Sequence, residues 1–258
     1  MPEIHPLSRV ISFIKYLWHC NGRHGVHSPF VYQLLEDGLY IKNNDFKAIQ
    51  QLRKELRKDN TPIRNNFGTN AGAYKGQGTI GDLAKKAGIS HRYGTLLAKL
   101  VKYFNPEFIL ELGTSLGISS AYMAQHNVQI TTVEGNDKIA SYAKSNHQKL
   151  GLDNLEVVCS DFDTYIDQSL RNIPSIPFLY LDGDHSYEAT MRYFSKLKSK
   201  ATSDSVFVFD DIYWSPGMTK AWEEIKQDEI VTLSLDFYKM GVVFFKPVKE
   251  KQHFRIWY

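Results

Sequence analysis

Several short strings in this sequence carry side chains and spacings suited to chemistry. Residues 111–119 read Glu-Leu-Gly-Thr-Ser-Leu-Gly-Ile-Ser. Glycines there let the chain turn tightly and let a ligand approach the backbone. A helix after such a turn offers free N–H groups to a carboxylate or phosphate. Glu134 ends the next apolar run, 21 residues after Gly113. An acidic side chain there can accept hydrogen bonds from both hydroxyls of a ribose. Together these features point to a cofactor containing adenosine. A dinucleotide fingerprint reads Gly-x-Gly-x-x-Gly, because its second glycine makes room for a pyrophosphate. Ser115 stands at that position, so nicotinamide cofactors are disfavoured.

Three further strings follow later apolar runs. Residues 160–163 read Ser-Asp-Phe-Asp, with polar groups and a ring suited to an adenine. Residues 182–188 read Asp-Gly-Asp-His-Ser-Tyr-Glu, and residues 210–214 read Asp-Asp-Ile-Tyr-Trp. Carboxylates brought close together repel, and desolvation adds to the cost, so such a cluster holds a cation or hydrogen-bonds a partner. Oxygen-only ligands suit Mg²⁺, Mn²⁺ or Ca²⁺. For Asp184 and Asp211 the other reading is a cap on the helix that follows. His185 can act as a general base near neutral pH, or can cap the next helix.

These strings need a scaffold that brings them to one edge. From residue 107 onward, strand and helix patterns alternate. Strands are expected over 108–112, 129–133, 155–159, 177–181, 205–209, 232–235 and 242–246. Helices are expected over 115–126, 137–150, 164–170, 187–198 and 219–227. That alternation predicts a mostly parallel sheet covered by helices on both faces. The last two strands are joined by a short turn, which allows only antiparallel pairing. The expected fold is therefore α/β and Rossmann-like, seven-stranded, with one antiparallel strand near the C-terminus. In such a sheet, ligands bind at the carboxyl ends of the strands, where all of these strings fall.

Before the sheet, residues 1–80 read as a helical extension and 81–258 as the cofactor-binding domain. Val10, Ile11, Ile14, Leu17 and Trp18 form one helical face. Phe46, Ile49, Leu52 and Leu56 form another, after the Asn44/Asp45 capping signal. His24 and His27 could meet a metal or a substrate, or flank a helix start with Ser28 as N-cap and Pro29 at the first position. Residues 61–81 are too rich in Gly and Asn for a regular element and read as a lid or binding loop. Helical patterns resume through Ile80, Leu83, Ala84 and Ala87, and again over 96–104.

Glu111–Ser119, Glu134, Asp161, Asp182 and the closing hairpin, in this order, resemble a class I S-adenosylmethionine-dependent methyltransferase. The resemblance covers roughly residues 80–246 and is strongest to catechol-type O-methyltransferases and their uncharacterised bacterial relatives. It implies that Glu111, Gly113 and Ser119 hold the amino-acid end of S-adenosylmethionine, and that Ser115 and Gly117 also bind the cofactor. Glu134 would hold the ribose, and Asp161 with Phe162 would border the adenine. Asp182 would border the cofactor too and, with Asp210 and Asp211, would ligate Mg²⁺ or another divalent cation. Two positions depart from the family: Asp211 stands where the family has Asn, and His185 where it has a Lys acting as base.

The implied function is methyl transfer to a small-molecule hydroxyl assisted by a divalent metal, with Asp182 and His185 as the catalytic pair. Tyr213 and Trp214 could wall the acceptor pocket, and the 61–81 loop and the 236–241 turn could cover it. The alternatives are a metal-independent N- or O-methyltransferase, an RNA methyltransferase and a non-enzymatic cofactor-binding protein. The 31 basic and 28 acidic residues give a net charge of +3, too mild to indicate nucleic acid. The strings of bases at 53–58 and 196–200 read as solvated helix faces. No apolar run reaches the roughly 20 residues a membrane span needs, and no signal-peptide pattern opens the sequence. A cytoplasmic location is therefore expected. Cys20 and Cys159 are far apart and in no Cys-x-x-Cys pair, so neither a disulfide framework nor a cysteine zinc site is expected. The apolar N-terminal helix would pack on its own core or on a second subunit in a homodimer.

Overall fold

The computed structural model describes residues 13, 16–18, 20, 25–41, 45–65, 76–169 and 171–258. Of the first expected helix, Phe13, Tyr16, Leu17 and Trp18 are helical. Val10, Ile11, Ile14, His24 and Asn44 lie outside the described residues. Helix α1 (Pro29–Gln33) starts with Pro29 directly after its N-cap Ser28 and runs on into a π-helical turn over 34–39. His27 is exposed. Helix α2 (Lys47–Leu56) buries the stripe of Ile49, Leu52 and Leu56 beside Phe46.

The stretch 61–81 contains regular structure, contrary to expectation. Strands β1 (Pro62–Asn65) and β2 (Gly76–Thr79) pair antiparallel. Strand preference depends strongly on context, and here backbone pairing suffices where the side chains give no pattern. Thr79 then opens helix α3 (Ile80–Lys86) with a reciprocal capping box to Asp82. Helix α4 (His91–Phe104) follows and ends at Asn105 in the left-handed conformation.

From here strand and helix alternate up to three closing strands: β3 (Phe108–Leu112), α5 (Ile118–Met123), β4 (Gln129–Glu134), α6 (Asp137–Lys149), β5 (Leu155–Cys159), α7 (Phe162–Ser169), β6 (Phe178–Leu181), α8 (Tyr187–Leu197), β7 (Val206–Phe209), α9 (Pro216–Gln227), β8 (Leu233–Asp236), β9 (Gly241–Phe244) and β10 (Gln252–Arg255). They form one sheet in the order β10-β8-β9-β7-β6-β3-β4-β5. Strand β9 runs antiparallel to both neighbours, β7 and β8, and the other pairings are parallel. The sheet thus has eight strands rather than seven. The additional one, β10, is a partly exposed edge strand of Gln, His, Phe and Arg, with no apolar run to mark it.

Helices cover both faces. On one, Leu34, Leu52, Leu83, Leu97 and Tyr122 pack with Ile109, Phe178, Val208 and Phe244 of the sheet. The N-terminal helices therefore share a core with the sheet. On the other, Ile166, Phe194 and Trp222 pack on Leu110, Leu179, Phe207 and Val243. After β3 the chain moves outward to β4 and β5, then returns to place β6 on the other side of β3. That reversal opens a crevice beyond the ends of β3 and β6, where doubly wound sheets bind ligands. Among the described residues, no helix is long and apolar enough to cross a membrane.

Candidate functional site

The seam between β3 and β6 sets the geometry. Asp182 N–H donates to Leu112 O at 2.9 Å, so the two strand ends leave the sheet side by side. Gly113 has a φ of +111°, and a Cβ there would run into the Asp182 carbonyl. A Cβ on Gly183 would likewise meet the Phe162 ring. Only glycine allows the first of these approaches; at Gly183 the Phe162 ring would have to shift. The turn after β3 is held from behind by α6: Asn146 Nδ2 donates to Leu116 O at 2.9 Å, and His147 Nε2 lies 3.0 Å from Gly117 O.

A cavity of about 350 Å³ opens over these strand ends. Gly113, Ser115, Glu134, Asp161, Phe162, Asp182, His185, Asp210 and Asp211 all line it. Ser119 lines an adjoining crevice together with Ser115, Asp182 and Arg53. Glu111 and Gly117 line neither. Glu111 is wholly buried and meets the crevice through Ser119, whose hydroxyl donates to its Oε1 at 2.5 Å. Thr132 donates to Oε2 at 2.5 Å. Burial pushes the Glu111 carboxyl up to about 7, against the pull of these hydroxyls.

Glu134 orients the loops around it. Its two oxygens accept from Ser115 N–H at 2.9 Å and Asn136 N–H at 3.0 Å. Burial raises its pKa, opposed by those bonds. Asn136 caps α6 and also donates to Arg64 O at 3.0 Å, tying β1 to this corner. Asp161 accepts from Thr164 N–H at 2.9 Å, which holds its carboxyl below the ordinary value. Phe162 packs edge-on against Tyr193, centroids 5.6 Å apart.

The acidic strings meet at the other reach of the cavity. Helices α8 and α9 are capped by Ser186 and Ser215, so Asp184, His185 and Asp211 are not the caps. His185 Nε2 lies 3.4 Å from Asp182 Oδ1 and 3.8 Å from Asp211 Oδ2. Tyr180 donates to Asp182 Oδ2 at 3.2 Å. Burial, then the Asp210 charge, push the carboxyls of Asp182 and Asp211 above the usual range. Asp184 and Asp211 both have positive φ, 55° and 53°, a conformation that Asp tolerates better than most residues.

Sequence reasoning missed the cation of this cluster. Lys239 reaches in from the turn between β8 and β9, its Nζ 3.1 Å from Asp210 Oδ2 and 3.6 Å from Asp211 Oδ1. Burial alone would lower its pKa; the charges of Asp210, Asp211 and Asp182 outweigh that and raise it. Among the described residues, no three Asp, Glu, His or Cys side chains are grouped as metal ligands. Asp182, Asp210 and Asp211 line one end of the cavity together, and the ammonium lies against two of them, Asp210 and Asp211. A lone lysine in a turn gives no spacing signal that could have revealed this. Leu83, Lys86, Ala87 and Gly88 also line the cavity unforeseen, as do Arg192 and Tyr193. Trp214 lines it as expected, whereas Tyr213 donates to Asp236 instead.

The comparisons with known proteins fit this geometry. The family model of a methyltransferase domain matches residues 110–212, from β3 through the Asp-Asp string after β7. Those residues match a methyltransferase domain. No curated protein matches it. Among solved structures, this chain is similar to an O-methyltransferase from Bacillus cereus in complex with S-adenosylhomocysteine. That pair is 20% identical with a TM-score of 0.56, over 83% of this chain and 97% of the other. It is also similar to the O-methyltransferase TomG from Streptomyces achromogenes, in complex with S-adenosylmethionine and involved in tomaymycin synthesis (17% identity, TM-score 0.61, 84% and 95% covered). A third is the S-adenosylhomocysteine-bound methyltransferase PaMTH1 of Podospora anserina (12%, 0.54, 81% and 99%). At these identities the likeness is one of fold.

Proposed function

We propose that this chain transfers the methyl group of S-adenosylmethionine to a hydroxyl of a small-molecule acceptor. The observation that carries the reading is one continuous cavity along the carboxyl ends of β5, β4, β3, β6 and β7. Five adjacent strands about 4.8 Å apart span roughly 19 Å, room for an adenosyl group and an acceptor side by side. Glu134 at the end of β4 suits the ribose, and Phe162 beyond β5 suits the adenine. Ser119, backed by Glu111, suits the amino-acid end in the adjoining crevice. His185 and Trp214, beyond β6 and β7, are left for the acceptor.

When bound, S-adenosylmethionine supplies a sulfonium methyl whose carbon–sulfur bond breaks as the carbon–oxygen bond forms, leaving neutral S-adenosylhomocysteine. The protein then has to position the acceptor and remove its proton. His185 takes that proton at Nε2, where Asp182 and Asp211 lie within 4 Å and stabilise the imidazolium. Positioning supplies much of the acceleration, because the cofactor brings the reactive group. The Bacillus and Streptomyces neighbours are O-methyltransferases, which favours a hydroxyl acceptor over an amine.

A thermal melt with S-adenosylhomocysteine, with NAD as control, tests the cofactor site. Stabilisation of about 2.7 kcal/mol is expected at 100 times the dissociation constant, none with NAD, and most of the gain lost in Glu134→Ala. An unchanged midpoint at saturating S-adenosylhomocysteine would overturn the reading.

A further inference from the structure

We propose that Lys239 is the built-in cation of the acceptor site and takes the place a divalent ion would occupy, so that the site works without one. The inference rests on the methyltransferase reading of the cavity. Its basis is where the ammonium sits. Lys239 Nζ touches Asp210 and Asp211, the two carboxylates that end β7, and lines the same cavity as Asp182 and His185. Asp210 is almost wholly buried, and its Oδ1 has no partner among the described residues. Among the described residues, its Oδ2 forms an ion pair with this lysine.

The turn that carries Lys239 is held on several sides. Phe237 N–H donates to Met240 O at 2.8 Å, and Lys239 N–H to Phe237 O at 2.9 Å. Ile212 N–H, just past the acidic pair, donates to Lys239 O at 3.2 Å. Tyr93 of α4 donates to Phe237 O at 2.8 Å. Between them Tyr238 has a φ of +69°, a costly conformation for a bulky residue, which persists only where surrounding contacts impose it. Its N–H donates to Asp236 Oδ1 at 2.8 Å, and its ring packs against Tyr16 and Tyr213. A strained, braced turn that aims one lysine at two buried carboxylates is a positioning device.

An ammonium and a divalent ion exclude one another here. Carboxylates ligate Mg²⁺ at about 2.0–2.1 Å, and an ion bridging Asp210 Oδ2 and Asp211 Oδ1, the two oxygens nearest Nζ, would come up against the ammonium. The ammonium instead sits at hydrogen-bonding distance from Asp210 and at ion-pair distance from Asp211. It neutralises part of the charge next to His185 and leaves Asp182 and Asp211 to face the imidazole. Lys239 thus acts through Asp210 and Asp211 as a positioning residue.

The test reads Mn²⁺ binding by electron paramagnetic resonance on chelator-treated full-length protein, beside a calorimetric titration with S-adenosylhomocysteine. Wild type and Lys239→Arg are expected to leave Mn²⁺ free up to 1 mM, about the weak end of protein–cation affinities. Lys239→Ala and Lys239→Met, the second of which keeps the apolar stem, are expected to gain Mn²⁺ binding at least tenfold tighter than that. All four should bind S-adenosylhomocysteine within about threefold of one another. Mn²⁺ binding by wild type as tight as in the alanine or methionine variant would overturn the proposal. So would a variant that binds S-adenosylhomocysteine yet gains no Mn²⁺. A wild type that fails to bind S-adenosylhomocysteine would sink the methyltransferase reading instead, and the Mn²⁺ comparison would still be read by itself.

Discussion

Glu111 shows how a single buried carboxyl links the fold to the cofactor site. It lies wholly buried behind Ser119, and its pKa rises from 4.5 to about 7 because burial disfavours the charge. The folded protein therefore binds a proton there that the unfolded chain releases at lower pH. The stability from this site is fully present below about pH 4.5 and is lost as pH rises through 7. The shift corresponds to roughly 3 kcal/mol. Glu111→Gln keeps the shape and cannot ionise. The variant is expected to gain on wild type as pH rises from 5 to 8, read as the difference between their denaturation midpoints at each pH. An unchanged difference across that range would mean that Glu111 is already ionised in the folded protein. A buried glutamate at a strand end is easy to find in the sequence, as is the Gly-rich turn that follows it. Its separation from the cavity by Ser119 is not, because spacing gives the strand end and not the depth of the side chain.

At the level of elements, the β3–β6 seam is the most constrained part of the site. Gly113 and Gly151 both have positive φ, +111° and +66°, but differ in what a side chain would meet. At Gly113 a Cβ strikes the Asp182 carbonyl, whereas at Gly151 nothing lies within 4 Å. Gly151→Ala should therefore cost only the backbone term, about 1–2 kcal/mol. Gly113→Ala adds overpacking against a strand end, another 1–3 kcal/mol or so, and pushes β6 away from β3. It is expected to melt well below Gly151→Ala and to bind S-adenosylhomocysteine at least tenfold more weakly than wild type, while Gly151→Ala binds normally. Equal affinities in the two variants would show that the seam does not set the cofactor site. This seam was legible in the sequence because apolar runs of four or five residues ending in Gly or Asp mark parallel strands. Strand β10 and the β1–β2 pair were not, since polar edge residues and glycines pair through the backbone alone. Lys239 escaped notice because its partners lie just past β7, far back in the sequence, and only the antiparallel course of β9 brings the turn back to them.

At the scale of the whole molecule, the cavity is not a property of the sheet alone. Leu83, Lys86, Ala87 and Gly88, in and just after α3, line it opposite the strand ends. Arg53 and Leu56 of α2 line the adjoining crevice. These helices bury Leu52, Leu56, Ile80 and Leu83 in the same core as Ile109 and Phe178, each such side chain contributing about 1.5–3 kcal/mol. We therefore propose that the helices ahead of the sheet, α2 and α3, complete the cofactor site instead of standing apart from it. A ligand that binds only the assembled cavity stabilises every part that must be in place for binding. Amide hydrogen exchange with S-adenosylhomocysteine at 100 times its dissociation constant should then slow α3 and the 113–117 turn together, by up to about 100-fold where exchange requires the cavity to open. Strand β10, at the far edge beyond β8, should slow far less if its amides exchange by local fraying. Protection of the 113–117 turn with no change in α3 would mean that the sheet binds the cofactor without its N-terminal wall. Equal protection of α3, the turn and β10 would mean that the whole chain opens as one unit, with the N-terminal helices inseparable from the site.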